Sequence, residues 1–461
     1  MNNKLFKNTF IISLGNLIPR ILALVTLPLI TTYISIEVYG QFDIIVTSGS
    51  FIIPVVSLLI DQAVFRFLLD EKEENKKITI STAFVFIFIL SVVTIFMFFI
   101  LFDKYDIFFR LLVILYYLAL LYNTFFIQTL RGLRKLKVYA ISSVLNSAFN
   151  ILLLYFMIIS DMDDFYTLMI SIISGISIAN LVMFLSSGMY RYISLKLYNY
   201  HHFKKMIKYS IPIIPNSISW WILNLSDRFI IRIFLGLQYN AIYAIANKIP
   251  ILLNVAYSNF NLAWQESAVD LRDEQTQYKS MFTNIFVFLS TSLIVLLAMS
   301  TYIFDLLIDS SYDESYKYIQ ILMLGVYFNC LASFIGGIFL AYKDTKIIGT
   351  SSIMSALINI SINIILIKHL GLYAAAISTL IAFMVLFVIR FLSIKKYVAL
   401  SVLSKRNIFI FLMVLLFSFL SFYNNEMLNI IAFVFSGLLF LVLNKKLIIN
   451  FVMSLVKRRD L

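Results

Sequence analysis

The sequence predicts an all-α integral membrane protein with about 14 transmembrane helices, arranged as two six-helix lobes and two further C-terminal helices. Hydrophobic residues occupy 61% of the 461 positions and charged residues only 13%, about half the charged fraction of a soluble domain. Apolar runs of about 20 residues, the length that crosses the hydrocarbon of a bilayer, recur along the whole chain. The intervals between them are too short for a soluble domain, which excludes an attached ATPase or catalytic domain.

The predicted spans follow one another with short connections. Six lie in the first lobe, at residues 8–33, 38–62, 78–102, 107–130, 138–160 and 165–189. Six lie in the second lobe, at residues 210–234, 239–263, 280–304, 318–342, 347–367 and 372–394. Two shorter apolar runs, 408–423 and 428–443, suit a thin or locally adjusted bilayer. The predicted domains are an N-lobe (1–190), an amphipathic cytoplasmic linker (191–208), a C-lobe (209–395), and a C-terminal helix pair with a basic cytoplasmic tail (396–461).

The basic residues support this topology. Most of the 37 Lys and Arg residues fall in alternate connecting segments, and the opposite segments are mainly acidic, as in the turn from Asp161 to Asp164. Positive charge marks the cytoplasmic side of a membrane protein, so both termini are predicted to be cytoplasmic. This topology also accounts for the net charge of +13. The basic residues are not concentrated on one face or in one domain, so we expect no nucleic-acid partner.

Two weak internal matches indicate a duplication. Residues 34–42 and 235–243, which link the first two spans of each half, share their spacing of apolar and small residues. The turns 134–137 and 343–346 are each followed by an asparagine, Asn150 and Asn359, at nearly the same offset. Each half has an even number of spans, so the lobes are predicted to be related by a pseudo-two-fold axis along the membrane normal, with the substrate between them.

Several of these segments carry motifs of a known family. They are Gly15-Asn-Leu-Ile-Pro-Arg20, Leu27-Pro28-Leu29 ahead of Tyr39-Gly40, Arg131-Gly132-Leu-Arg134, and Asn359-Ile-Ser-Ile-Asn363 followed by Gly371-Leu-Tyr-Ala-Ala-Ala-Ile-Ser-Thr379. The chain thereby resembles the polysaccharide transporters of the multidrug/oligosaccharidyl-lipid/polysaccharide superfamily, which include Wzx-type oligosaccharide flippases and the lipid II flippase. The resemblance covers nearly the whole chain. Ala374 and Ser378 depart from the family pattern but keep small side chains.

Ionisable residues within the spans are the candidate site residues, because a charge in the hydrocarbon is costly and normally faces the protein interior or a water-filled cavity. Arg20 and Lys248 lie near the middle of their spans. On the seventh span a polar residue recurs every four positions: Asn216, Trp220, Asn224, Arg228 and Arg232. On the eighth span asparagine recurs every seven positions: Asn240, Asn247, Asn254 and Asn261. Each series predicts a polar seam along one helix.

These residues have competing interpretations. The asparagines, including Asn359 and Asn363, are also typical of interhelical hydrogen bonding without transport function, and Arg232 is close enough to a helix end to reach the headgroups. Asp227 suits either an ion-coupling role or a structural pair with a neighbouring arginine. Asp43 is a second ion-coupling candidate and Asp61 a weaker one. Pro19 and Pro250, beside Arg20 and Lys248, predict either a gating break or a fixed kink.

Enzyme signals are poor, so no catalytic residue, cofactor or metal is expected. The chain has no Gly-x4-Gly-Lys-Ser/Thr motif for ATP, and His201, His202 and His369 have no set of metal-ligand partners. The linker 191–208 mixes basic with aromatic and aliphatic residues, which predicts contact with anionic membrane lipids.

The resemblance implies a flippase of the bacterial inner membrane that carries undecaprenyl-diphosphate-linked oligosaccharide repeat units outward by alternating access, for capsule, O-antigen lipopolysaccharide or exopolysaccharide synthesis. Its implied partners are the lipid-linked oligosaccharide, membrane lipids, and the polymerase and chain-length machinery of the same pathway. The predicted substrate-binding residues are Arg20, Arg228, Arg232, Lys248, Asn224 and Trp220, because fixed cations suit a pyrophosphate. The alternatives are a multidrug-extrusion-type exporter, which would need acidic groups in its cavity, and a membrane polysaccharide polymerase, which would need a long outer loop.

Overall fold

A computed structural model of the protein describes residues 3–70, 72–101, 103–271, 275–400, 404–422, 426–445 and 449. Within these ranges the regular secondary structure is helical throughout. The first eight α-helices are α1 (Asn3–Tyr33), α2 (Ile36–Val56), α3 (Ile60–Asp70), α4 (Glu73–Leu101), α5 (Ile107–Gly132), α6 (Leu136–Ile159), α7 (Asp164–Ser186) and α8 (Tyr200–Ser210). The remaining nine are α9 (Ile214–Phe234), α10 (Leu237–Ala246), α11 (Ile251–Asp270), α12 (Gln275–Leu307), α13 (Tyr316–Ala341), α14 (Thr345–Leu370), α15 (Leu372–Ser393), α16 (Lys405–Leu420) and α17 (Glu426–Leu443).

The all-α membrane fold predicted from the sequence is confirmed. Each of the predicted spans overlaps one of these helices or two consecutive ones. In the described part of the chain, nine helices are long and apolar enough to cross a membrane, and two shorter apolar helices, Leu17–Tyr33 and Met427–Leu443, accompany them. The chain is therefore a multi-pass membrane protein. Most of the predicted basic tail, including Lys457, Arg458 and Arg459, lies outside the described residues, as does Arg272.

The chain forms two compact units, Met1–Trp221 and Ile222–Leu461. In the first unit, apolar side chains of α3 and α5 pack together with residues of α4 and of the linker. Ile60, Val64, Phe125 and Met206 are each at most 1% exposed. In the second unit, α13 packs against α11 and α15. Its core includes Phe334 and Leu386, which are fully buried.

The predicted linker is attached to the first unit through side chains of α4. Ser81 Oγ donates to the Tyr192 carbonyl at 2.8 Å and accepts from the Ser194 amide at 3.0 Å. The Asn199 amide donates to Thr82 Oγ1 at 3.2 Å. The lysines of the linker remain exposed, so the segment is held on one side and leaves its charges available to lipid headgroups.

The second predicted span is interrupted at Ser57–Leu59, between α2 and α3. Leu59 donates to the Pro54 carbonyl five residues back, and Ile60 donates to the Ser57 carbonyl three residues back. Leu58 and Leu59 both adopt positive φ, at 51° and 52°, a conformation that costs an L-residue about 1–2 kcal/mol. Such strain persists only where the surrounding packing holds it, and Leu59 and Ile60 are buried.

The eighth predicted span is also interrupted, at residues 247–250 between α10 and α11. The predicted asparagine seam on one continuous helix is therefore wrong, because the break separates Asn240 from Asn254 and Asn261. Pro250 lies in this break and has no N–H to continue the hydrogen-bond ladder. By contrast, α1 continues through Pro19. The interrupted helices are the second spans of the two predicted halves, and interruption at corresponding positions is typical of transporter binding regions.

Candidate functional site

The carboxylate of Asp227, on α9, is buried in the second unit with an exposed fraction of 3%. Three neutral side chains donate to it: Tyr243 Oη at 2.9 Å, Asn363 Nδ2 at 2.7 Å and Thr379 Oγ1 at 2.6 Å. An ionised carboxylate can accept all three of these bonds. These donors come from α10, α14 and α15, so the Asp227 cluster joins four helices of the unit.

Two further hydrogen bonds help to position Thr379. Asn359 Nδ2 donates to Thr379 Oγ1 at 3.3 Å, and Ser226 Oγ donates to Asn359 Oδ1 at 3.3 Å. Asn359 and Asn363 lie one helical turn apart on α14, so both amides face α9 and α15. The predicted interhelical bonding of these asparagines is present, and here it converges on a carboxylate.

The cluster is rich in oxygen atoms. Asn363 Oδ1 is buried and has no hydrogen-bond partner, and Asp227 Oδ1, which accepts only from Asn363, has a second lone pair. An oxygen set with one carboxylate suits a proton or a hard monovalent cation. No group of three or more His, Cys, Asp and Glu side chains that could hold a metal ion occurs among the described residues.

Arg228 lies next to this cluster. Its side chain is 7% exposed, and the guanidinium carbon lies 5.6 Å from the centre of the Tyr243 ring, within the range of a cation–π contact. The same ring therefore contacts Arg228 through its face and Asp227 through its hydroxyl.

Arg20 lies in a separate polar cavity in the first unit. The cavity has a volume of about 250 Å³ and is lined from α1, α5, α6 and α7. Arg20 is exposed, and the polar side chains around it are neutral: Asn123, Tyr139, Ser142, Ser143, Asn146 and Ser147. Ser142 Oγ is buried and has no hydrogen-bond partner. A cation surrounded by hydroxyl and amide groups is suited to an anionic or hydroxyl-rich ligand.

Gly15 explains how α1 approaches this cavity. A Cβ at Gly15 would lie 2.8 Å from the Ala140 Cα of α6, a distance that real side chains do not tolerate. The missing side chain lets the two backbones approach closely, as small residues do in membrane helix pairs. Gly15 and Arg20 belong to the same first-span motif, so the motif supplies both the close contact and the cation.

The other predicted site residues have different environments. On α9, Asn224 and Arg232 are exposed, and Trp220 is half-buried. Positions four apart on a helix drift by about 40° per step, so the series from Asn216 to Arg232 winds around α9 instead of forming one straight seam. Lys248 is half-buried at the break between α10 and α11, and Asp43 is half-buried on α2.

Residues 5–265 match the family described as polysaccharide biosynthesis protein. The chain belongs to this family. The resemblance drawn from the motifs is thereby confirmed. No protein of curated function shows significant similarity to the chain.

Solved structures show the same fold at low identity. The lipid II flippase MurJ, in an inward closed conformation, aligns with a TM-score of 0.71 and 17% identity over 96% of this chain and 100% of its own. An inward-facing multidrug resistance MATE family transporter of the MOP superfamily aligns with a TM-score of 0.61 and 15% identity, over 85% and 93% of the two chains. A MOP superfamily transporter from Pyrococcus furiosus, described as having a binding pocket of reversed polarity, aligns with a TM-score of 0.61 and 14% identity, over 84% and 94%.

Sequence reasoning missed Arg390 as a buried cation, because it lies near the end of a span and counted among the cytoplasmic basic residues. Its side chain is 1% exposed. It donates to Ser351 Oγ at 3.1 Å, Ser352 Oγ at 3.1 Å and the Ala332 carbonyl at 3.0 Å. These acceptors lie on α13 and α14, so one side chain of α15 holds three helices together.

Proposed function

We propose that the protein is a flippase that carries undecaprenyl-diphosphate-linked oligosaccharide repeat units from the cytoplasmic to the outer face of the bacterial inner membrane by alternating access. Its family and the fold that it has in common with a lipid II flippase support a transporter of lipid-linked sugars. Capsule, O-antigen lipopolysaccharide and exopolysaccharide pathways use such units, and the polymerase and chain-length machinery of the pathway are its proposed partners.

The observation that carries this proposal is the cavity of Arg20. A pyrophosphate carries its charge on several oxygens, and a guanidinium binds such oxygens through two parallel hydrogen bonds. The hydroxyl and amide groups that line the rest of the cavity suit sugar hydroxyls. We assign Arg20 to the pyrophosphate, and we assign further contacts with the anionic head to Lys248, Arg232 and Asn224, which are half-buried or exposed.

Two of the predicted substrate-binding residues, Arg228 and Trp220, are assigned more restricted roles. Arg228 is 7% exposed and lies against Tyr243, so we assign it to substrate only in a conformation that opens this contact. Trp220 is half-buried and is proposed to stack on sugar. The adjacent Trp221 is already engaged: its ring centre lies 4.6 Å from that of Phe51, and its Nε1 donates to the Thr47 carbonyl at 3.4 Å.

We further propose that Asp227 couples transport to a cation. The carboxylate is buried, and its donors come from three other helices, so binding a proton or a cation there changes contacts across the second unit. The identity of the donors supports this role, because hydroxyl and amide groups can rotate to present oxygen to a cation. Asp43 is retained as a second coupling candidate on α2.

A small-molecule exporter is the second candidate function. The fold is also that of MATE family transporters, and Asp227 is an acidic group suited to cationic compounds. The two candidate functions predict opposite effects of Arg20 on substrate binding, because a cation in the cavity attracts a pyrophosphate and repels a cationic drug.

The experiment is complementation of a gene deletion in the native host. Lipid-linked repeat units are probed on spheroplasts with a membrane-impermeant lectin or glycosidase, and their length is measured separately. Wild type, Arg20→Ala, Arg20→Lys and the exposed linker control Lys196→Ala are compared at equal expression. We expect protected, cytoplasm-facing units in the deletion strain and in Arg20→Ala, partial recovery in Arg20→Lys, and full recovery in the control.

Two outcomes would contradict the proposal. Single repeat units that accumulate on the outer face of the deletion strain would place the defect in polymerisation. Full recovery by Arg20→Ala would leave a flippase possible but remove the assigned site.

A further inference from the structure

The break between α2 and α3 opens into a second cavity of the first unit, with a volume of about 320 Å³. One side is apolar, formed by Ile53, Leu59 and Ile127. The lining also includes Pro54 and six polar residues, Ser57, Asp61, Gln62, Thr124, Gln128 and Ser217. These polar residues come from the break itself and from α3, α5 and α9. The interruption of the helix thus brings side chains of four segments around one space.

Asp61 supplies the negative charge of this cavity. Its side chain is 7% exposed, and Gln62 Nε2 donates to its carboxylate at 3.4 Å. The backbone amides of Asp61 and Gln62 also interact with the carboxylate. Among the residues that the structure describes, no Lys, Arg or His side chain interacts with it. A buried carboxylate that lacks a basic partner requires a proton or a bound cation.

Arg131 is a basic residue with a defined contact to the lining. Its guanidinium donates to Gln128 Oε1 at 3.0 Å and lies over the ring of Phe65, 4.8 Å from the ring centre. Arg131 therefore occupies the acceptor of Gln128 and leaves the other oxygens of the cavity available.

Ser57 provides the independent sign of a ligand. Ser57 is 2% exposed and lines the same cavity, and its Oγ has no hydrogen-bond partner. Thr124 Oγ1 donates to the Leu121 carbonyl at 2.9 Å, so its lone pairs are available as an acceptor. Two hydroxyl oxygens and one carboxylate therefore surround the space with unused coordinating capacity.

The chemistry of these donors selects the ion. Oxygen ligands favour hard cations, whereas soft metals prefer sulfur and nitrogen. Divalent Ca²⁺ takes about 6–8 oxygen ligands and is usually held by several carboxylates, but this cavity contains one carboxylate. One negative charge with neutral oxygens balances a single positive charge.

We propose that the break in the second span forms a binding site for a monovalent metal cation such as Na⁺, with Asp61 as the anionic ligand and Ser57 and Thr124 as neutral ligands. The site is separate from the Asp227 cluster and does not depend on the proposed substrate. Discontinuous helices bind cations in this way in other membrane transporters, where side chains and freed backbone groups replace the water around the ion.

The test is binding of ²²Na⁺ to the purified full-length protein in lipid nanodiscs. All measurements use an Asp227→Asn background, so that the Asp227 cluster does not contribute. We expect saturable binding in this background, a loss of at least tenfold in affinity with Asp61→Asn, and a smaller loss with Ser57→Ala. Asp161→Asn, in an exposed turn, is the matched control and should bind as the background does.

Folding is checked by size-exclusion profile and by thermal unfolding in choline chloride, where no metal cation is present. Unchanged ²²Na⁺ affinity in Asp61→Asn would overturn the proposal, and so would the absence of specific binding in the background, since a proton would then satisfy Asp61. If Asp61→Asn does not fold, Ser57→Ala decides the question, because unchanged affinity in that variant also overturns the site.

Discussion

Thr379 Oγ1 donates a hydrogen bond of 2.6 Å to the carboxylate of Asp227, joining residues 152 positions apart. Tyr243 Oη donates to the same carboxylate oxygen at 2.9 Å. The Thr379 bond links α15 to α9, so the contact between these two helices depends on the charge on Asp227. Loss of that charge would weaken both bonds, because a charged acceptor strengthens them by roughly twofold.

Asp227→Asn is expected to abolish coupling while preserving the fold. Asparagine keeps the size of the side chain and one accepting oxygen, but it removes the charge that would hold a cation. We expect at least a tenfold loss of repeat-unit translocation in the spheroplast assay with an unchanged size-exclusion profile. Asp161→Asn is the control on an exposed turn. Normal translocation by Asp227→Asn would reduce the cluster to a structural role.

Gly15→Ala is expected to damage both stability and the Arg20 cavity. The added methyl group would meet the backbone of Ala140, and overpacking of this kind costs about 1–3 kcal/mol. The prediction is a lower midpoint of thermal unfolding and reduced translocation. Gly349→Ala is the matched control, because nothing lies within 4 Å of its Cβ. That change should stabilise α14 slightly, by up to about 1 kcal/mol. Equal behaviour of the two variants would contradict the close contact.

Arg390→Lys is expected to destabilise the protein more than Arg390→Met. Lysine keeps the buried charge but cannot reach three acceptors on two helices, and the lost bonds cost about 2 kcal/mol in total or more. Methionine removes the charge and fills much of the space. Ser351 and Ser352 already donate to the Ile348 carbonyl, so both hydroxyls stay bonded. Thermal unfolding of the purified variants measures the order, and a less stable methionine variant would refute it.

His202 is expected to make attachment of the linker sensitive to pH. The imidazole hydrogen-bonds Thr79 Oγ1 at 2.7 Å and packs edge-on against Phe67, with ring centres 5.5 Å apart. Burial, followed by the charges of Lys205 and His201, lowers the pKa of His202 below its ordinary value of 6.5. The unfolded chain therefore binds a proton at a higher pH than the folded chain does.

The contribution of His202 to stability is thus complete above pH 6.5 and declines as the pH falls from there to the lowered pKa. We expect the midpoint of thermal unfolding to fall less between pH 7.5 and 5.5 in His202→Gln than in wild type. Glutamine can still bond Thr79 but does not titrate. His201→Gln, at an exposed position, should stay closer to the wild-type slope, because it removes only the last-named cause of the lowered pKa and leaves the burial of His202 in place. If the midpoint of thermal unfolding had the same pH dependence in both variants, other groups would control stability between pH 7.5 and 5.5.

The positions of the spans could be predicted from the sequence because hydrophobic length is a local property. The run predicted at 107–130 is the helix Ile107–Gly132, and that predicted at 165–189 is Asp164–Ser186. The interruption of the eighth span at Pro250 was one of two alternatives that the sequence left open, the other being a fixed kink. The interruption of the second span was not predicted, because Leu58 and Leu59 are ordinary apolar residues whose positive φ depends on the packing around them.

The sequence by itself determined that the chain crosses a membrane many times, that it belongs with transporters of related motif, and that Arg20 and Asp227 lie within spans. Only the tertiary structure decided which side chains contact the charged residues of α9. Asp227 meets Asn363 and Thr379, whereas Arg228, the next residue, lies against Tyr243. The physical reason is that burial of an apolar run needs only its own length, but the hydrogen bonds of a buried polar group depend on which helices lie beside it.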